Sequence, residues 1–486
     1  MKGILLLIPI LMPLVTLGIL KFYHVKNEKL FKGITLSVVL INSLITWIYL
    51  FLLKDTSLVI IKFSSLINFG LKLDGLGSIF AGMVSLLWPI AMIYLFEYMK
   101  HDENRYAYTI YYVATYGVVL GISFSSNLFS LYIFYELLTF ITLPLIIHYQ
   151  TKEAKRAGRY YLYFSLSGSS LALAGLVLLL IKTGTCDFTM GGSVTTSSNL
   201  MHFAYLLTFF GFGVKSAIFP LCYWLPMAGA APTPTTALLH AVAVVKAGAF
   251  ALIRVTYYNF SYTILKGSWA QQIALCFIAF TIVYGSVKAV KEQHLKRRFA
   301  YSTIANLSYI LFGTLLCSKE GLIAALLHFL IHSMTKISIF FVIGAINETA
   351  GTTYVYETNG LGKKMPMAFI IFTMSGLSLI GVPPFAGFIS KFYLIKAGFA
   401  LESIWGYIGI GALIISALLS IIYVLSITSR AFVRTPLEVS KNIEEKAHDI
   451  SLPFIITSGL MALLTLICTF LTSPLIELLR NIIGGI

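Results

Sequence analysis

Charge, cysteine pairs and nucleotide-binding loops are what this sequence has least of. Only 11% of its 486 residues are charged, whereas a soluble domain carries about 25%. The five cysteines are scattered without a C-x-x-C pair, which leaves neither an iron–sulfur nor a zinc ligand set. The glycine patterns that bind phosphates and dinucleotides are also missing. We therefore expect no metal, no cofactor and no redox chemistry in this chain.

Long apolar runs fill the sequence instead. Hydrophobic residues make up 58% of the chain and the mean hydropathy is +0.88, values typical of a polytopic membrane protein. A membrane-spanning helix needs about 20 mostly apolar residues, and fourteen stretches meet this need. They lie at about 3–20, 33–53, 75–98, 107–125, 127–149, 158–182, 201–224, 235–257, 270–290, 301–316, 321–347, 366–398, 403–429 and 452–474. The sequence thus predicts an all-α protein with one membrane domain over residues 1–486 and about fourteen transmembrane helices.

Lysine and arginine are distributed unevenly between the predicted loops. When basic residues near the ends of spans are counted with the adjacent loop, the odd-numbered loops hold 21 of them and the even-numbered loops hold 8. Basic residues gather in the cytoplasmic loops of membrane proteins. The odd-numbered loops are therefore predicted to be cytoplasmic, with both termini outside the cell (plasma) membrane of a prokaryote. The rule accounts for the net charge of +16, so this charge gives no reason to expect nucleic-acid binding.

Glycine and proline interrupt two of the predicted spans. The seventh carries GFGVKSAIFPLCYWLP (211–226), and the twelfth carries GVPPFAGFISKF (381–392). Matched interruptions in two halves of a chain point to an inverted-repeat transporter. The two interrupted spans are five spans apart, and because five is an odd number, they cross the membrane in opposite directions, as an inverted repeat requires. We expect two five-helix half-channel repeats, at 107–257 and 270–429, with broken helices 7 and 12. Unwound backbone exposes carbonyl groups that can accept hydrogen bonds from an ammonium group.

Eight lysine, glutamate and histidine residues lie well inside predicted spans, away from the span ends, where charge is expensive. A charged, unpaired lysine at the bilayer centre costs roughly 2.5–3.5 kcal/mol on insertion scales, so four lysines cost on the order of 10 kcal/mol. Burial and a nearby carboxylate act in opposite directions on the proton affinity of a lysine, so a lysine under both influences can exchange its proton near neutral pH. We predict a proton relay made of Glu136, Lys215, Lys246, His240, His328, His332, Lys336 and Lys391.

Structural roles compete with this prediction. Lys215 could extend its ammonium group to the lipid headgroups, although about ten residues separate it from either end of its span. Glu136 could anchor a salt bridge that helps helices to pack, which does not exclude transport, because a buried pair that opens is a switch. Lys246 and Lys391 have similar structural alternatives.

His328, His332 and Lys336 follow one another at intervals of four residues, which lines them along one face of a helix. Such a stripe can carry protons through intervening waters. Metal binding is the weaker alternative, because two histidines without a carboxylate make a poor ligand set, and core histidines without a role in transport are another. His240 lies six positions before Lys246, and their side chains are about a third of a turn apart around the helix axis. A structural role for His240 stays open.

These segments resemble the antiporter-like subunits shared by respiratory complex I, Mrp-type cation/proton antiporters and membrane-bound energy-converting hydrogenases. The resemblance covers roughly spans three to thirteen. It rests on FYELLT with Glu136, on GFGVKSAIFPLCYWLPMAGAAPTPTTALLHAVAVVKAGAFALIR, on KRRFAYSTIANLSYILFG, on HFLIHSMTKISIFF and on GVPPFAGFISKF. From a chain that ends at Ile486 we expect one of the shorter members of the family, with the D-type Mrp protein the most similar.

The resemblance implies a family role for most of these residues. In the first half, Glu136 and Lys215 correspond to the family's ion pair, in which Lys215 is the central proton carrier, and Lys246 is the connecting lysine. The second half supplies the rest of the relay, ending with the terminal residue at the second broken helix: His328, His332, Lys336 and Lys391.

Members of this family work beside sister antiporter-like and small membrane subunits, in some complexes with a peripheral redox module. The resemblance therefore implies a proton-translocating subunit with no chemistry of its own. One alternative is a self-sufficient sodium/proton antiporter, although the spans offer lysines and one glutamate instead of the oxygen ligands that sodium prefers. A structural membrane subunit without transport is another. The identity of the complex, the direction of proton flow and any movement of sodium stay open.

Overall fold

Helices occupy most of the chain in the computed structural model, which describes residues 2–22, 27–435 and 447–484. A two-stranded antiparallel hairpin of β1 (Ser57–Lys62) and β2 (Asn68–Lys72) links the second and third helices. The main helices are α1 (Lys2–Phe22), α2 (Glu28–Leu52), α3 (Gly75–Tyr98), α4 (Arg105–Ser123), α5 (Leu128–Ile146), α6 (Lys152–Thr183), α7 (Asn199–Gly213), α8 (Thr233–Asn259), α9 (Trp269–Lys291), α10 (Leu295–Leu315), α11 (Lys319–Ala350), α12 (Pro366–Ile380), α13 (Ala386–Phe399), α14 (Ile404–Phe432), α15 (Leu452–Phe470) and α16 (Thr472–Ile483). The predicted helical membrane fold is confirmed, and the hairpin is an addition that hydropathy did not indicate.

Each predicted span coincides with a helix or a broken helix. Among the described residues, ten helices are long and apolar enough to cross a membrane. The twelfth predicted span consists of α12 and α13 together, and the last one ends at Phe470, after which the short helix α16 follows. The multi-pass architecture is therefore confirmed, while the number of fourteen crossings stays a prediction.

Local sequence signals set where several helices begin and end. The side chains of Asp74, Asn127 and Thr151 accept hydrogen bonds from backbone N–H groups in the first turns of α3, α5 and α6. Caps of this kind contribute about 0.5–2 kcal/mol each. Gly184 and Gly351 adopt the left-handed conformation directly after α6 and α11, which glycine does without the steric cost that other residues meet.

Both predicted interruptions are present. Helix α7 ends at Gly213, and a run of turns leads from it to a short helix at Trp224–Met227. Helix α12 gives way to Gly381, whose φ of +89° is left-handed, before α13 begins at Ala386. A helix end leaves its last carbonyl groups without intrahelical partners. Each break therefore supplies hydrogen-bond acceptors inside the protein.

Helix α8 contains two further irregularities, which the sequence did not predict. Residues Leu238–Val242 and Val255–Asn259 adopt π-helical turns. A π-helical turn is rare and often occurs at a functional site, because it inserts an extra residue and turns side chains toward new neighbours. The first of these segments contains His240.

Helices α8 and α11 form the centre of the molecule. The apolar window of α8 is 100% buried and that of α11 is 94% buried, whereas that of α1 is only 33% buried. The two central helices pack against each other, and the remaining helices separate them from the lipid. Polar side chains on α8 and α11 consequently face protein and not hydrocarbon.

Candidate functional site

Seven of the eight predicted relay residues lie in the protein interior. None of the seven exposes more than 8% of its surface, and Glu136 is half-buried. An ionisable group at this depth requires hydrogen-bond partners, because an unpartnered charge carries a large desolvation cost. The buried residues are Lys215, His240, Lys246, His328, His332, Lys336 and Lys391.

Lys215 lies in the run of turns that follows α7. The indole Nε1 of Trp224 donates to the carbonyl of Val214 at 2.8 Å, which fixes this turn. The Lys215 ammonium group donates to the backbone carbonyl of Tyr135, and Nζ lies 3.5 Å from the centroid of the same residue's ring. The side chain therefore ends inside the protein instead of extending to the headgroups.

Glu136 is adjacent to this contact but not part of it. Its carboxylate accepts a hydrogen bond from the Ser169 hydroxyl of α6. No ion pair joins Glu136 to Lys215 within the described ranges. The expected ion pair is thus not a direct contact in this structure, because the lysine binds the preceding residue's carbonyl while the carboxylate turns toward α6.

Helix α8 approaches the Lys215 turn very closely. A Cβ atom on Gly248 would lie 2.7 Å from both the backbone nitrogen and the Oγ atom of Ser216, so only glycine fits there. Gly248 is two residues from Lys246. The buried Ser216 hydroxyl has no hydrogen-bond partner among the described residues. The Ser216 hydroxyl is thus a polar group located between the first broken helix and Lys246.

Lys246 contacts the second half of the chain directly. Its Nζ atom lies 2.9 Å from Nδ1 of His332 on α11 and 4.7 Å from the centroid of the Phe329 ring. An ammonium group can only donate, so Nδ1 is the acceptor and a neutral His332 carries its proton on Nε2. The predicted connecting lysine and the predicted histidine relay therefore meet in one hydrogen bond.

His328 continues the row toward the second broken helix. Its Nδ1 atom lies 2.9 Å from the hydroxyl of Ser390, and its ring centroid is 5.8 Å from that of His332. Lys391, the next residue after Ser390, donates to the carbonyls of Leu379 and Ile380 at 2.8 Å each. These carbonyls close α12 and are available because the helix breaks there.

Lys336 points away from the two histidines. Its Nζ atom donates to the hydroxyl of Ser302 at 2.7 Å and to the carbonyl of Phe299 at 3.2 Å, both on α10. The Ser302 hydroxyl lies 2.7 Å from that of Tyr423, which lies 3.0 Å from that of Ser420. The predicted stripe is therefore present on α11, but its members form their hydrogen bonds with three different helices, α13, α8 and α10.

His240 has no hydrogen-bond partner on either ring nitrogen in the described part of the chain, although it is completely buried. Its ring stacks on Phe340 of α11 at 4.8 Å between centroids. The residue sits in the π-helical turn of α8, so the helical spacing to Lys246 assumed from the sequence does not apply.

One buried ion pair escaped the sequence reasoning. Arg254, near the end of α8, donates to both carboxylate oxygens of Asp74 at 2.5 and 2.6 Å and lies 4.7 Å from the centroids of the rings of Phe188 and Tyr258. Its position inside the predicted span 235–257 was the available signal.

Metal ligation finds no support in the geometry. Among the residues that the structure describes, no three His, Cys, Asp or Glu side chains come together as a metal site. The two histidines on α11 use their Nδ1 atoms for Ser390 and Lys246 instead.

The chain matches a known family and several proteins of known name. The family described as NADH:quinone oxidoreductase/Mrp antiporter, transmembrane, matches residues 125–420. The A1 component of the Na(+)/H(+) antiporter of Staphylococcus aureus strain JH9 is 29% identical over 444 residues, which cover 84% of this chain and 54% of that protein. The A1 component from strain Newman is 29% identical over 430 residues, covering 82% and 52%. The chain therefore spans about half the length of these curated relatives.

Two solved structures share the fold. A chain of the membrane-bound sulfane sulfur reductase, an archaeal respiratory membrane complex, superimposes with a TM-score of 0.85 at 22% identity, covering 98% of this chain and 96% of that one. A chain of the Mrp complex from Dietzia sp. DQ12-45-1b superimposes with a TM-score of 0.85 at 20% identity, covering 99% and 96%. The expected similarity to the D-type Mrp protein in particular stays a prediction, since the relatives above are A1 components. With the family matching more than half of its length, the chain belongs to the NADH:quinone oxidoreductase/Mrp antiporter transmembrane family.

Proposed function

We propose that this chain is a proton-translocating, antiporter-like subunit of a multisubunit complex in a prokaryotic cell membrane. The observation that carries the proposal is the 2.9 Å contact between Lys246 and His332. It joins a buried lysine of the first half to a buried histidine of the second, inside the two most deeply buried helices. Family membership and the multisubunit complexes of the relatives support the same conclusion.

The proposed route runs along buried polar groups from one broken helix to the other. A proton on Lys215 passes Ser216 to Lys246, then reaches His332 and His328 and leaves near Lys391. Buried water can bridge polar groups that have no protein partner, as the Ser216 hydroxyl requires. Movement or neutralisation of the Glu136 charge would change the proton affinity of Lys215, since a Coulomb interaction between buried charges amounts to several kcal/mol.

The expected partners are sister antiporter-like subunits and small membrane subunits, with both termini and the even-numbered loops outside the cell. A self-sufficient sodium/proton antiporter remains the alternative. The buried row favours protons, because it consists of ammonium and imidazole groups with a single carboxylate at Glu136, whereas a sodium ion requires several oxygen ligands.

Substitution of Lys246 tests the proposal. In the assembled complex reconstituted into vesicles, we expect Lys246→Ala to lower proton pumping at least about 100-fold, because the route loses its link across the centre and each tenfold corresponds to about 1.4 kcal/mol. Lys266→Ala, at an exposed lysine just after α8, is the matched control and should pump normally.

Normal pumping by an assembled Lys246→Ala complex would contradict the proposal. Sodium/proton exchange by the purified single chain in vesicles would establish the alternative. The amount of complex recovered from membranes, measured for both variants, shows that assembly is intact.

A further inference from the structure

We propose that Asp102 and His148 form a proton-collecting pair that feeds the buried row from the basic side of the membrane. The inference rests on the proposed function. Asp102 lies between α3 and α4, and His148 follows directly after α5. The Nε2 atom of His148 lies 3.0 Å from each carboxylate oxygen of Asp102. The two side chains are 8% (His148) and 20% (Asp102) exposed, so the pair is within reach of water.

The location of the pair suits proton uptake from the cytoplasm. Lys100 and Arg105 flank Asp102, and Lys152 and Arg156 lie at the start of α6, just after His148. This is the side on which lysine and arginine gather, and the positive-inside rule makes it the cytoplasmic one. A carboxylate on this side of the membrane holds a histidine in the orientation needed to receive a proton.

The pair contacts a line of buried hydroxyl groups. The His148 ring meets the ring of Tyr108 edge to face at 4.8 Å between centroids, and Tyr108 is 1% exposed. The Tyr108 hydroxyl accepts the backbone N–H of Thr235 at 2.9 Å and lies 2.5 Å from the Thr235 Oγ1 atom. The Tyr108 oxygen accepts the hydrogen bond from the Thr235 N–H group. The Tyr108 hydroxyl proton can therefore be donated to the Thr235 Oγ1 atom.

Thr235 leads to the π-helical turn of α8. It lies in the α-helical first turns of α8, five residues before His240, which sits in the π-helical turn Leu238–Val242. Both nitrogens of His240 lack a partner among the described residues, and a buried polar group without one is rare unless water occupies the site. The His240 ring stacks on Phe340, one turn after Lys336.

Each transfer along this line conserves protons. A hydronium ion on the cytoplasmic side donates a proton to the Nδ1 lone pair of His148 and becomes water, while the Nε2–H bond to Asp102 stays in place. The Nδ1 proton then leaves to a water beside Tyr108. The hydroxyl groups of Tyr108 and Thr235 each release their own proton as they accept one, and a ring nitrogen of His240 receives the last. No oxidant or other reactant is needed.

Tyr108→Phe provides the sharpest test, because it keeps the ring against His148 and removes only the hydroxyl group. Tyr112→Phe is the matched control, since Tyr112 lies one turn further along α4 and its buried hydroxyl has no partner in the described ranges. In vesicles containing the assembled complex, we expect Tyr108→Phe to pump about 5- to 10-fold more slowly than the wild type and Tyr112→Phe to pump at the wild-type rate.

His148→Gln and Asp102→Asn test the collecting pair itself. Both should slow pumping at a cytoplasmic pH of about 8, and acidification of that side should restore the rate, because abundant protons compensate for a missing collector. The other titratable groups around the pair are Tyr149, whose ring is 5.6 Å from that of His148, with Tyr98 of α3 and Glu348 of α11 beside Tyr149.

Two outcomes would overturn the inference. One is a wild-type rate at every pH in both Tyr108→Phe and His148→Gln. The other is a pumping rate of His148→Gln and Asp102→Asn that is lowered equally at every pH, which would indicate structural damage. If either result is obtained while Lys246→Ala abolishes pumping, the collecting pair is refuted and the proposed function is still supported. Normal pumping by Lys246→Ala would instead remove the proposed function itself.

Discussion

The two broken helices hold their lysines in different surroundings. Lys215 donates to the carbonyl of Tyr135, and the next residue, Glu136, places a carboxylate nearby. Lys391 donates to the carbonyls of Leu379 and Ile380. Within the described ranges it has no ion pair with a carboxylate. The same kind of break thus supports two ways of holding an ammonium group.

The difference has a consequence for control of the two halves. A carboxylate favours the charged form of a lysine strongly, and its effect vanishes when it is neutralised or moved. The carbonyl groups at the end of α12 carry only the partial negative charge of a helix terminus and remain in place. In the proposed route, the first half would therefore be switched through Glu136, whereas the second half would respond to protons that arrive through His328.

Removal of either lysine should have the largest effect. We expect Lys215→Ala and Lys391→Ala each to lower pumping by the assembled complex at least about 100-fold, because each break presents one ammonium group and no substitute. The exposed residues Lys182 and Lys396 supply control alanine variants with normal pumping. If one of the two buried lysines proves dispensable, the two breaks do not have equivalent roles.

Neutralisation of the carboxylate should have an intermediate effect. Glu136→Gln keeps an acceptor for the Ser169 hydroxyl and removes the charge, so we expect a decrease in pumping of about 10-fold, which corresponds to about 1.4 kcal/mol. Rates in vesicles, normalised to the amount of assembled complex, measure it. An unchanged rate would show that the first half also functions without a carboxylate, and the contrast between the two breaks would disappear.

Removal of the hydroxyl group beside His328 should have the smallest effect. Ser390→Ala deletes the neutral hydrogen bond to the His328 ring, worth about 1 kcal/mol, together with the local bond to the Gly387 carbonyl, so we expect pumping to fall about 2- to 5-fold. Ser170→Ala is a suitable control, because that exposed serine bonds only to its own helix. A loss as large as that of Lys391→Ala would mean that Ser390 carries protons itself instead of orienting the His328 ring.

The elements that the sequence predicted well are those governed by local chemistry. Apolar length gave the positions of the helices, and the glycine and proline residues near 213 and 381 marked the two breaks. The cost of placing Lys215 and Lys391 inside apolar spans singled them out before any contact was known. In the structure both are buried and bonded to carbonyl groups.

The features that the sequence did not reveal depend on contacts between distant residues. Lys246 and His332 are 86 positions apart, and Arg254 and Asp74 are 180 positions apart, so no periodicity connects them. The π-helical turn at His240 has no glycine or proline to mark it. The orientation of Glu136 toward Ser169 is a choice of side-chain rotamer, which sequence patterns do not specify.

The hydrogen bond between Lys246 and His332 limits how many protons can occupy the middle of the molecule. A second proton on Nδ1 of His332 would remove the acceptor and leave two cations 2.9 Å apart. At an effective dielectric constant of about 20, their repulsion is about 6 kcal/mol, which makes double occupancy rarer by about four orders of magnitude. In the proposed route, protons would therefore pass this point in single file, and each arriving charge would wait until the previous one has departed.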